Sequence, residues 1–276
     1  MPLFCCPLCG GTLAEGPRAL RCPAGHCFDR AKEGYVHLLP VGQKHSKAPG
    51  DDKGMVAARR AFLDKGWYQP LRDALCRLAV ELSGPSPVVL DAGCGEGYYT
   101  GGVHQALLSA GKAPRTAGVD ISKFSLQKAA KRYPEVAFAV ASAYRLPVAA
   151  GSASVLLDVF SPLALDEFRR VLAPGGLFLY VVPAARHLWQ LKEILYDHPY
   201  PNEEKETPYE GFVYDRIVPV SRTIRLPGRE EIQALFQMTP YYWKTSRAGA
   251  ARLEALEELE VETSFQIHVF RRTDAV

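Results

Sequence analysis

Long apolar runs are missing from this chain of 276 residues. The longest, LFLYVVPAA at 177–185, has nine residues, whereas a membrane-spanning helix needs about 20. The first residues also lack the basic stretch followed by an apolar stretch that marks a secretory signal. These two absences exclude a helical membrane protein and predict a cytoplasmic location.

Net charge is also small, so charge alone does not indicate a nucleic-acid partner. The formal charge is +3, from 33 basic and 30 acidic residues. The distribution is less even, because residues 1–75 hold eleven Lys and Arg against seven Asp and Glu. An excess of positive charge at one end of the chain favours phosphate contacts there.

Cysteine is scarce beyond residue 27, where only Cys76 and Cys94 occur. The other five of the seven cysteines lie within the first 27 residues. In a cytosolic protein, such clustering favours metal binding over disulfide formation.

Two short-spaced pairs of metal ligands stand out in this cysteine-rich segment. Cys6 and Cys9 form C-x2-C, Cys22 and His26 form C-x3-H, and twelve residues separate Cys9 from Cys22. Two such pairs can close a tetrahedron around zinc, and four protein ligands leave no open position, so the zinc would be structural. The simpler alternative is a set of free or buried cysteines. We expect residues 1–41 to form a zinc-binding module whose stability depends on the metal.

The remaining chain is predicted to contain a linker segment and one large domain. Residues 42–84 begin with a connector rich in Gly, Lys, Asp and Pro and continue with two helical patterns, at about 55–65 and 70–82. From residue 85 to about residue 183, short apolar strands alternate with amphipathic helices. This alternation predicts an α/β fold with a doubly wound, Rossmann-like parallel sheet.

The last third of the chain departs from this alternation. VSRTIRLP at 220–227 and TSFQIHVFRR at 263–272 alternate apolar and polar residues, as antiparallel strands do. Helical patterns lie between them at about 229–237 and 249–260. We expect these elements to complete a single domain over residues 85–276.

A glycine-rich stretch, LDAGCGEG at 90–97, follows the first strand of that domain. Its glycines, Gly93, Gly95 and Gly97, form G-x-G-x-G rather than the G-x-G-x-x-G of dinucleotide enzymes. They allow a sharp turn that presses backbone against a ligand. Asp91 directly before them suits a positively charged amino-acid group and would repel a pyrophosphate. The loop therefore favours S-adenosylmethionine, which has no phosphate.

Further features of this region agree with that cofactor. Asp120 ends the second strand, 23 residues after Gly97, a spacing that places a carboxylate on ribose hydroxyls. LAPGGLF at 172–178 supplies a turn before the fifth strand. The ordered set resembles the class I S-adenosylmethionine-dependent methyltransferases. Many of these enzymes carry an acidic residue after the third strand that contacts the adenine amino group. This chain has Ser142 at that place, which would either contact adenine or merely cap a turn.

Longer segments narrow the resemblance to one family. They resemble the RlmA family, the 23S ribosomal RNA guanine-N1 methyltransferases, over nearly the whole chain. The family implies a zinc ribbon that helps hold an RNA hairpin while the methyltransferase domain acts on one guanine. The segments that carry the resemblance are FDRAKEGYVHLLP (28–40), DKGMVAARRAFLDKGWYQPL (52–71), CGEGYYT (94–100), RHLWQLK (186–192) and MTPYYW (238–243).

The resemblance also assigns roles to individual residues. It places zinc on the four ligands already named. It implies that Tyr68, Gly95, Glu96 and His187 contact S-adenosylmethionine. Without it, Tyr68 in GWYQPL would be interpreted as a core aromatic and His187 as a helix cap or a solvated residue.

The acceptor base is expected at the end of the fourth strand, in DVFSPLALDE at 158–167. Family members carry aromatic-Ala-Pro there, and this chain has Phe160-Ser161-Pro162. Phe160 would stack on a base turned out of its helix, and the carbonyls of Phe160 and Ser161 would accept its N–H groups. Asp158 is the candidate proton acceptor for guanine N1, unless it points into the sheet.

Several alternatives stay open from the sequence. The cofactor-binding residues do not identify the methyl acceptor. One alternative is therefore a methyltransferase that acts on a small molecule or on another RNA. A catalytically inactive RNA-binding protein is another, although the complete glycine loop argues against it. Arg59 and Arg60 would meet phosphates or form a solvated helix face. A homodimer is possible.

Overall fold

The computed structural model describes residues 3–40, 42, 50–204 and 209–273. The connector expected at 42–54 therefore lies mostly outside the described residues. Within these ranges no helix has the length and apolarity needed to cross a bilayer.

The cysteine-rich end forms a small antiparallel sheet. Its strands are β1 (Ala14–Glu15), β2 (Ala19–Arg21) and β3 (Cys27–Asp29), with β2 in the middle. Leu13 and Leu20 are buried in an apolar cluster that continues into the large domain. The module therefore has no separate core, as expected for a unit too short to bury enough apolar surface alone.

A short fourth strand connects this end to the large domain. β4 (Val36–His37) runs parallel to β7 (Ala137–Val140), with Val36 opposite Ala139 and His37 opposite Val140. It forms one edge of the large sheet. The predicted division into residues 1–41, 42–84 and 85–276 remains a prediction.

Two helices follow the described part of the connector, α1 (Lys53–Asp64) and α2 (Gln69–Leu82). Asp52 caps the start of α1, because its carboxylate accepts a hydrogen bond from the N–H of Met55 at 2.9 Å. Both helical predictions for this region are confirmed. α2 buries its apolar face in the main core of the large domain.

Among the described residues, the large sheet has eight strands, in the order β10-β11-β9-β8-β5-β6-β7-β4. Its five central strands are parallel, and the predicted alternation of strands and helices is confirmed. The strands are β5 (Val88–Ala92), β6 (Arg115–Asp120), β7, β8 (Ala153–Val159) and β9 (Leu172–Pro183). The helices are α3 (Tyr98–Ser109), α4 (Lys123–Arg132), α5 (Leu165–Val171) and α6 (Trp189–Leu195).

The antiparallel strands expected near the C-terminus are confirmed and are longer than their patterns. β10 (Phe212–Leu226) pairs along its length with β11 (Leu259–Arg272), which in turn pairs with β9. Between them lie α7 (Arg229–Gln237) and α8 (Arg247–Glu254).

The helix predicted at 249–260 is wrong at its C-terminal end. α8 ends at Glu254, and β11 begins at Leu259. Leu259 and Val261 are buried opposite Leu226 and Ile224 of the partner strand. Leu253, Leu256 and Leu259 have a spacing that fits a helix, but alternation from Leu259 onward is the pattern that the sheet buries.

The order of strands reverses at β5, which lies between β6 and β8. In doubly wound sheets, the carboxyl ends of the strands at such a reversal form the crevice that binds ligands. Asp91, Asp120 and Asp158 lie at or near the ends of these three strands. The predicted fold class is confirmed, and it directs attention to this crevice.

Candidate active site and metal centre

The four predicted metal ligands lie close together in the N-terminal module. The ligand atoms of Cys6, Cys9, Cys22 and His26 all lie within 4.8 Å of one another. The two sulfurs of Cys9 and Cys22 are 3.6 Å apart. Nδ1 of His26 lies 3.5 Å from Sγ of Cys6 and 3.3 Å from Sγ of Cys22.

These distances fit the edges of a zinc tetrahedron. Zinc bonds of about 2.3 Å to sulfur and about 2.0–2.1 Å to nitrogen give edges of roughly 3.7 Å between sulfurs and about 3.5 Å between sulfur and nitrogen. The turns support this arrangement, because Gly10 and Gly25 adopt φ of 73° and 84°. Four protein ligands close the site, so a bound zinc would have a structural role.

The glycine loop after β5 adopts the conformation that only glycine adopts readily. Gly93, Gly95 and Gly97 have φ of 87°, 55° and 79°. Gly93 also lies against the Ser161 side chain, so that any Cβ at Gly93 would clash with it. The N–H of Gly95 donates to Oδ2 of Asp120 at 2.8 Å. The loop is thus fixed between β6 and the segment after β8.

Asp120 is oriented by backbone donors. Its Oδ1 accepts from the N–H of Ser122 at 2.7 Å, in addition to the Gly95 contact at Oδ2. Desolvation raises the pKa of Asp120, while these two N–H groups oppose that rise. Each carboxylate oxygen keeps a second lone pair, so the group can still accept bonds from ligand hydroxyls.

Asp91 and Glu96 are buried carboxyl groups within the same glycine-rich stretch, residues 90–97. The hydroxyl of Thr100 donates to Oδ2 of Asp91 at 2.5 Å. Burial raises the pKa of Asp91 to about 7 and that of Glu96 to about 7. Oδ1 of Asp91 and both oxygens of Glu96 have no hydrogen-bond partner among the described residues.

Tyr68 and His187 lie in contact with each other, 119 residues apart in sequence. The Tyr68 hydroxyl is 3.4 Å from Nε2 of His187, and the N–H of Ser264 donates to Nδ1 at 3.2 Å. Burial lowers the pKa of His187 to about 3. The imidazole is therefore neutral, and because Nδ1 accepts a bond, its proton is on Nε2.

The segment leaving β8 carries the three residues expected at the acceptor side. Asp158 is completely buried, and its Oδ1 contacts the Ser161 hydroxyl at 2.6 Å and the Ser161 N–H at 3.2 Å. The same hydroxyl is 2.5 Å from the carbonyl oxygen of Ala92. Burial raises the pKa of Asp158 to about 7, and Oδ2 has no hydrogen-bond partner in the described ranges.

Phe160, between them, is exposed and has an unusual backbone. Its φ is 58°, in the left-handed region that residues other than glycine rarely adopt. The residue is 46% exposed. Its ring lies 5.5 Å from that of Phe265 and 6.5 Å from that of Tyr99. The geometry presents one aromatic face at the edge of the crevice.

Two family models match separate parts of the chain. Residues 4–47 match the model of the RlmA N-terminal zinc ribbon, and residues 89–176 match a methyltransferase domain. A protein of Micromonospora griseorubida named as a 23S rRNA (guanine-N(1)-)-methyltransferase is 36% identical over 94% of this chain and 93% of its own length. The chain belongs to the RlmA methyltransferase family.

Two further relatives agree with this RlmA assignment. A Bacillus subtilis protein, also named as a 23S rRNA (guanine-N(1)-)-methyltransferase, is 30% identical over 96% of this chain and 95% of the relative. The 23S rRNA (guanine(748)-N(1))-methyltransferase of Streptomyces fradiae is 38% identical over 69% of this chain and 66% of the relative.

The crevice of this RlmA protein fits S-adenosylmethionine. Buried oxygens of Asp91, Glu96, Tyr99 and Asp158 have no partner within the described part of the chain. Buried polar atoms without partners are costly, so they indicate a ligand that supplies hydrogen-bond donors. S-adenosylmethionine offers an ammonium and ribose hydroxyls, and it has no phosphate for these carboxylates to repel.

Ser142 lies outside this group of buried oxygens. Its hydroxyl oxygen accepts a bond from the N–H of Tyr144 at 3.2 Å. This is the turn-capping role that the sequence left open. The hydroxyl proton stays available for another acceptor, so an adenine contact remains a prediction.

Three residues near the crevice were missed or misjudged from the sequence. Tyr99 is the second residue after the glycine loop, and its place in CGEGYYT is a signal that was not used. Phe265, in the last strand, packs against Tyr68 and His187 with ring centroids 4.9 Å and 4.5 Å away, and no local pattern marks it. Arg59 pairs with Asp51 and is not a solvated residue.

Proposed function

We propose that this protein transfers the methyl group of S-adenosylmethionine to N1 of a guanine in a hairpin of 23S ribosomal RNA. The observation that carries the proposal is the extent of the similarity, which includes the zinc ribbon as well as the cofactor domain. A relative sharing only the cofactor domain would leave the acceptor open, because one fold serves many acceptors. The cytoplasmic location of this protein and its assembly into a homodimer remain predictions.

We assign the cofactor to the crevice at the ends of β5 and β6. Asp120 would accept bonds from the ribose hydroxyls, and the glycine loop would lie against the cofactor. Glu96 and Asp91 would face its donor groups, and Tyr68 with neutral His187 would lie on the methionine side. When bound, the sulfonium supplies a methyl group already activated for transfer, so the protein acts mainly by positioning.

We assign the guanine to the edge of the crevice at Phe160. The exposed ring offers a stacking surface for a base turned out of its helix. Guanine N1 carries a proton that must leave as the N–C bond forms. Asp158 is the proposed acceptor of that proton, because its Oδ2 has no partner and its pKa of about 7 suits a base near neutral pH.

We assign RNA docking to the zinc ribbon. Arg18 and Arg21 lie between the two ligand pairs, and both are exposed. Zinc would hold the small sheet to which Arg21 belongs and the bend that carries Arg18, since a unit this small has no core of its own. Phosphate contacts there would orient the hairpin so that one guanine reaches Phe160.

Methylation of an isolated RNA hairpin tests this function. The purified protein and S-adenosylmethionine are incubated with transcripts of 23S ribosomal RNA hairpins, and reverse transcription maps the product. Methyl at N1 blocks Watson–Crick pairing, so we expect a stop at a single guanine. Transcripts with that guanine replaced by adenine serve as controls. Cofactor turnover on small molecules without any stop in RNA would reject the proposed acceptor.

A further inference from the structure

The chain before α1 is docked on the turn that follows Asp120. Gly50 has a φ of 80°, and a Cβ there would lie only 2.9 Å from Cγ2 of Ile121. The hydroxyl of Ser122 donates to the carbonyl oxygen of Asp51 at 2.8 Å. Two close contacts therefore hold the start of α1 beside the carboxylate assigned to the ribose.

Arg59, in the second turn of α1, is directed into this junction. Its guanidinium pairs with Asp51 and donates from Nη2 to the carbonyl oxygen of Met238 at 3.4 Å. Only 30% of the side chain is exposed. A guanidinium has five N–H donors, so two anchoring contacts leave donors for a ligand.

The electrostatic surroundings of Arg59 are those of the cofactor crevice. Desolvation lowers its pKa, and the negative groups that oppose this shift are Asp120 and Glu96, followed by the hydroxyls of Tyr99 and Tyr68. These four residues come from separate parts of the chain, and three of them belong to the proposed cofactor set. The cation thus lies close to that set without a bond to any of its members in the described structure.

Other basic groups near the crevice are engaged elsewhere or carry no charge. Arg60 and Arg132 also act on Glu96, but both pair with Asp64, at 3.3 Å and 2.6 Å. His187 is neutral because burial lowers its pKa to about 3. Arg59 also pairs with an aspartate, Asp51, but it acts on both Asp120 and Glu96, whereas Arg60 and Arg132 act on Glu96. Arg59 is therefore the cation best placed to meet a negative ligand group in the crevice.

We propose that Arg59 binds the carboxylate of the methionyl end of S-adenosylmethionine. The cofactor's ammonium and hydroxyls match the carboxylates of the crevice, and its carboxylate is the one group that those acids would repel. A guanidinium held by Asp51 is pre-organised for such a bond, because its position is fixed before the ligand arrives. This inference rests on the proposed cofactor and concerns one contact within its site.

Calorimetry with two ligands tests the contact directly. Decarboxylated S-adenosylmethionine keeps the adenosine, sulfonium and amine but lacks the carboxylate. For Arg59→Ala we expect the dissociation constant for S-adenosylmethionine to rise roughly ten- to hundredfold, as loss of a charge-assisted bond implies. The constant for the decarboxylated ligand should change by less than about twofold, because the missing contact has no partner there.

Two more variants complete the experiment. Arg59→Lys keeps the charge but not the planar fork, so its loss should be smaller than that of Arg59→Ala. Lys53→Ala removes an exposed charge from the first turn of the same helix and should bind both ligands like the wild type. Thermal unfolding shows whether each variant is folded.

Three outcomes would overturn the inference. Equal loss for both ligands would mean that Arg59 only braces α1. Unchanged binding of both ligands would mean that Arg59 does not contact the cofactor. A fall in RNA affinity alone would then indicate a phosphate contact instead. If the wild type binds S-adenosylmethionine and Arg59→Ala binds it equally well, only this contact is rejected. If the wild type binds neither ligand, the proposed cofactor itself is rejected.

Discussion

The backbone N–H of Cys5 donates a hydrogen bond to the carbonyl oxygen of Pro147 across 2.7 Å. Cys5 directly precedes the first zinc ligand, and Pro147 belongs to the connection between β7 and β8. Arg145 in the same connection donates to the carbonyl oxygen of Pro7 at 3.4 Å. The first ligand pair is therefore held against the turn that begins at Ser142.

The first prediction concerns zinc. The purified protein should contain about one zinc per chain, and Cys22→Ser should lower that content and unfold the small sheet. S-adenosylmethionine affinity should fall by no more than a few-fold, because the Gly95–Asp120 bond lies outside the ligand turns. Elemental analysis and calorimetry measure the two quantities.

A matched control for zinc is Cys27→Ser. Cys27 is exposed and does not belong to the ligand cluster, so this variant should keep its metal. Full zinc occupancy in Cys22→Ser, or loss of zinc in Cys27→Ser, would reject the ligand set.

The second prediction concerns Asp120. Asp120→Ala should weaken S-adenosylmethionine binding by about 1–3 kcal/mol, because the ribose hydroxyls lose their acceptor. It should also loosen the glycine loop, since the Gly95 N–H loses its partner. Asp166→Ala, at a fully exposed carboxylate, should bind like the wild type. Unchanged affinity in Asp120→Ala, measured by calorimetry, would remove Asp120 from the site.

The third prediction separates RNA docking from chemistry. Replacing Arg18 and Arg21 by Glu should weaken hairpin binding and reduce its dependence on salt, because fewer counterions are released from the phosphates. Cofactor affinity should not change. Methylation should fall at limiting RNA and recover partly at saturating RNA, which is the kinetic result of lost binding.

The competing interpretation of those arginines is that the zinc module only braces the fold. On that view the double variant would bind and methylate the hairpin like the wild type at every RNA and salt concentration. Filter binding and initial rates, each measured over a salt series, decide between the two.

The fourth prediction is a pH dependence of the methylation rate. A proton acceptor must be ionised, and the pKa of Asp158 is about 7. The rate should therefore rise between roughly pH 6 and pH 8 and level off above, as the ionised fraction saturates. Saturating cofactor is required, because Asp91 and Glu96 also have pKa values of about 7.

Asp158→Asn tests the origin of that profile. Loss of the proton acceptor should lower the rate by about 10²–10⁴-fold and remove the inflection near pH 7. If Asp158 instead only positions Ser161 through their 2.6 Å contact, the variant would be slower at every pH while keeping the profile of the wild type.

Much of this protein was determined by local sequence. Strands and helices of the sheet were predictable because hydrophobic periodicity depends on neighbouring residues. The two ligand pairs and the glycine loop are equally local, since a few residues set the geometry of a turn. The resemblance to class I methyltransferases followed from the order of these local patterns along the chain, and the resemblance to the RlmA family followed from longer segments.

Tertiary structure alone decided how distant segments meet. Pairing of β4 with β7, the contact of Tyr68 with His187, and the position of Phe265 join residues about 100 or more positions apart. Arg59 pairs with Asp51, and Asp51 is held beside Asp120 by the hydrogen bond from Ser122, a meeting of segments that helical periodicity does not encode. Such contacts depend on three-dimensional packing, and no spacing in the sequence specifies them.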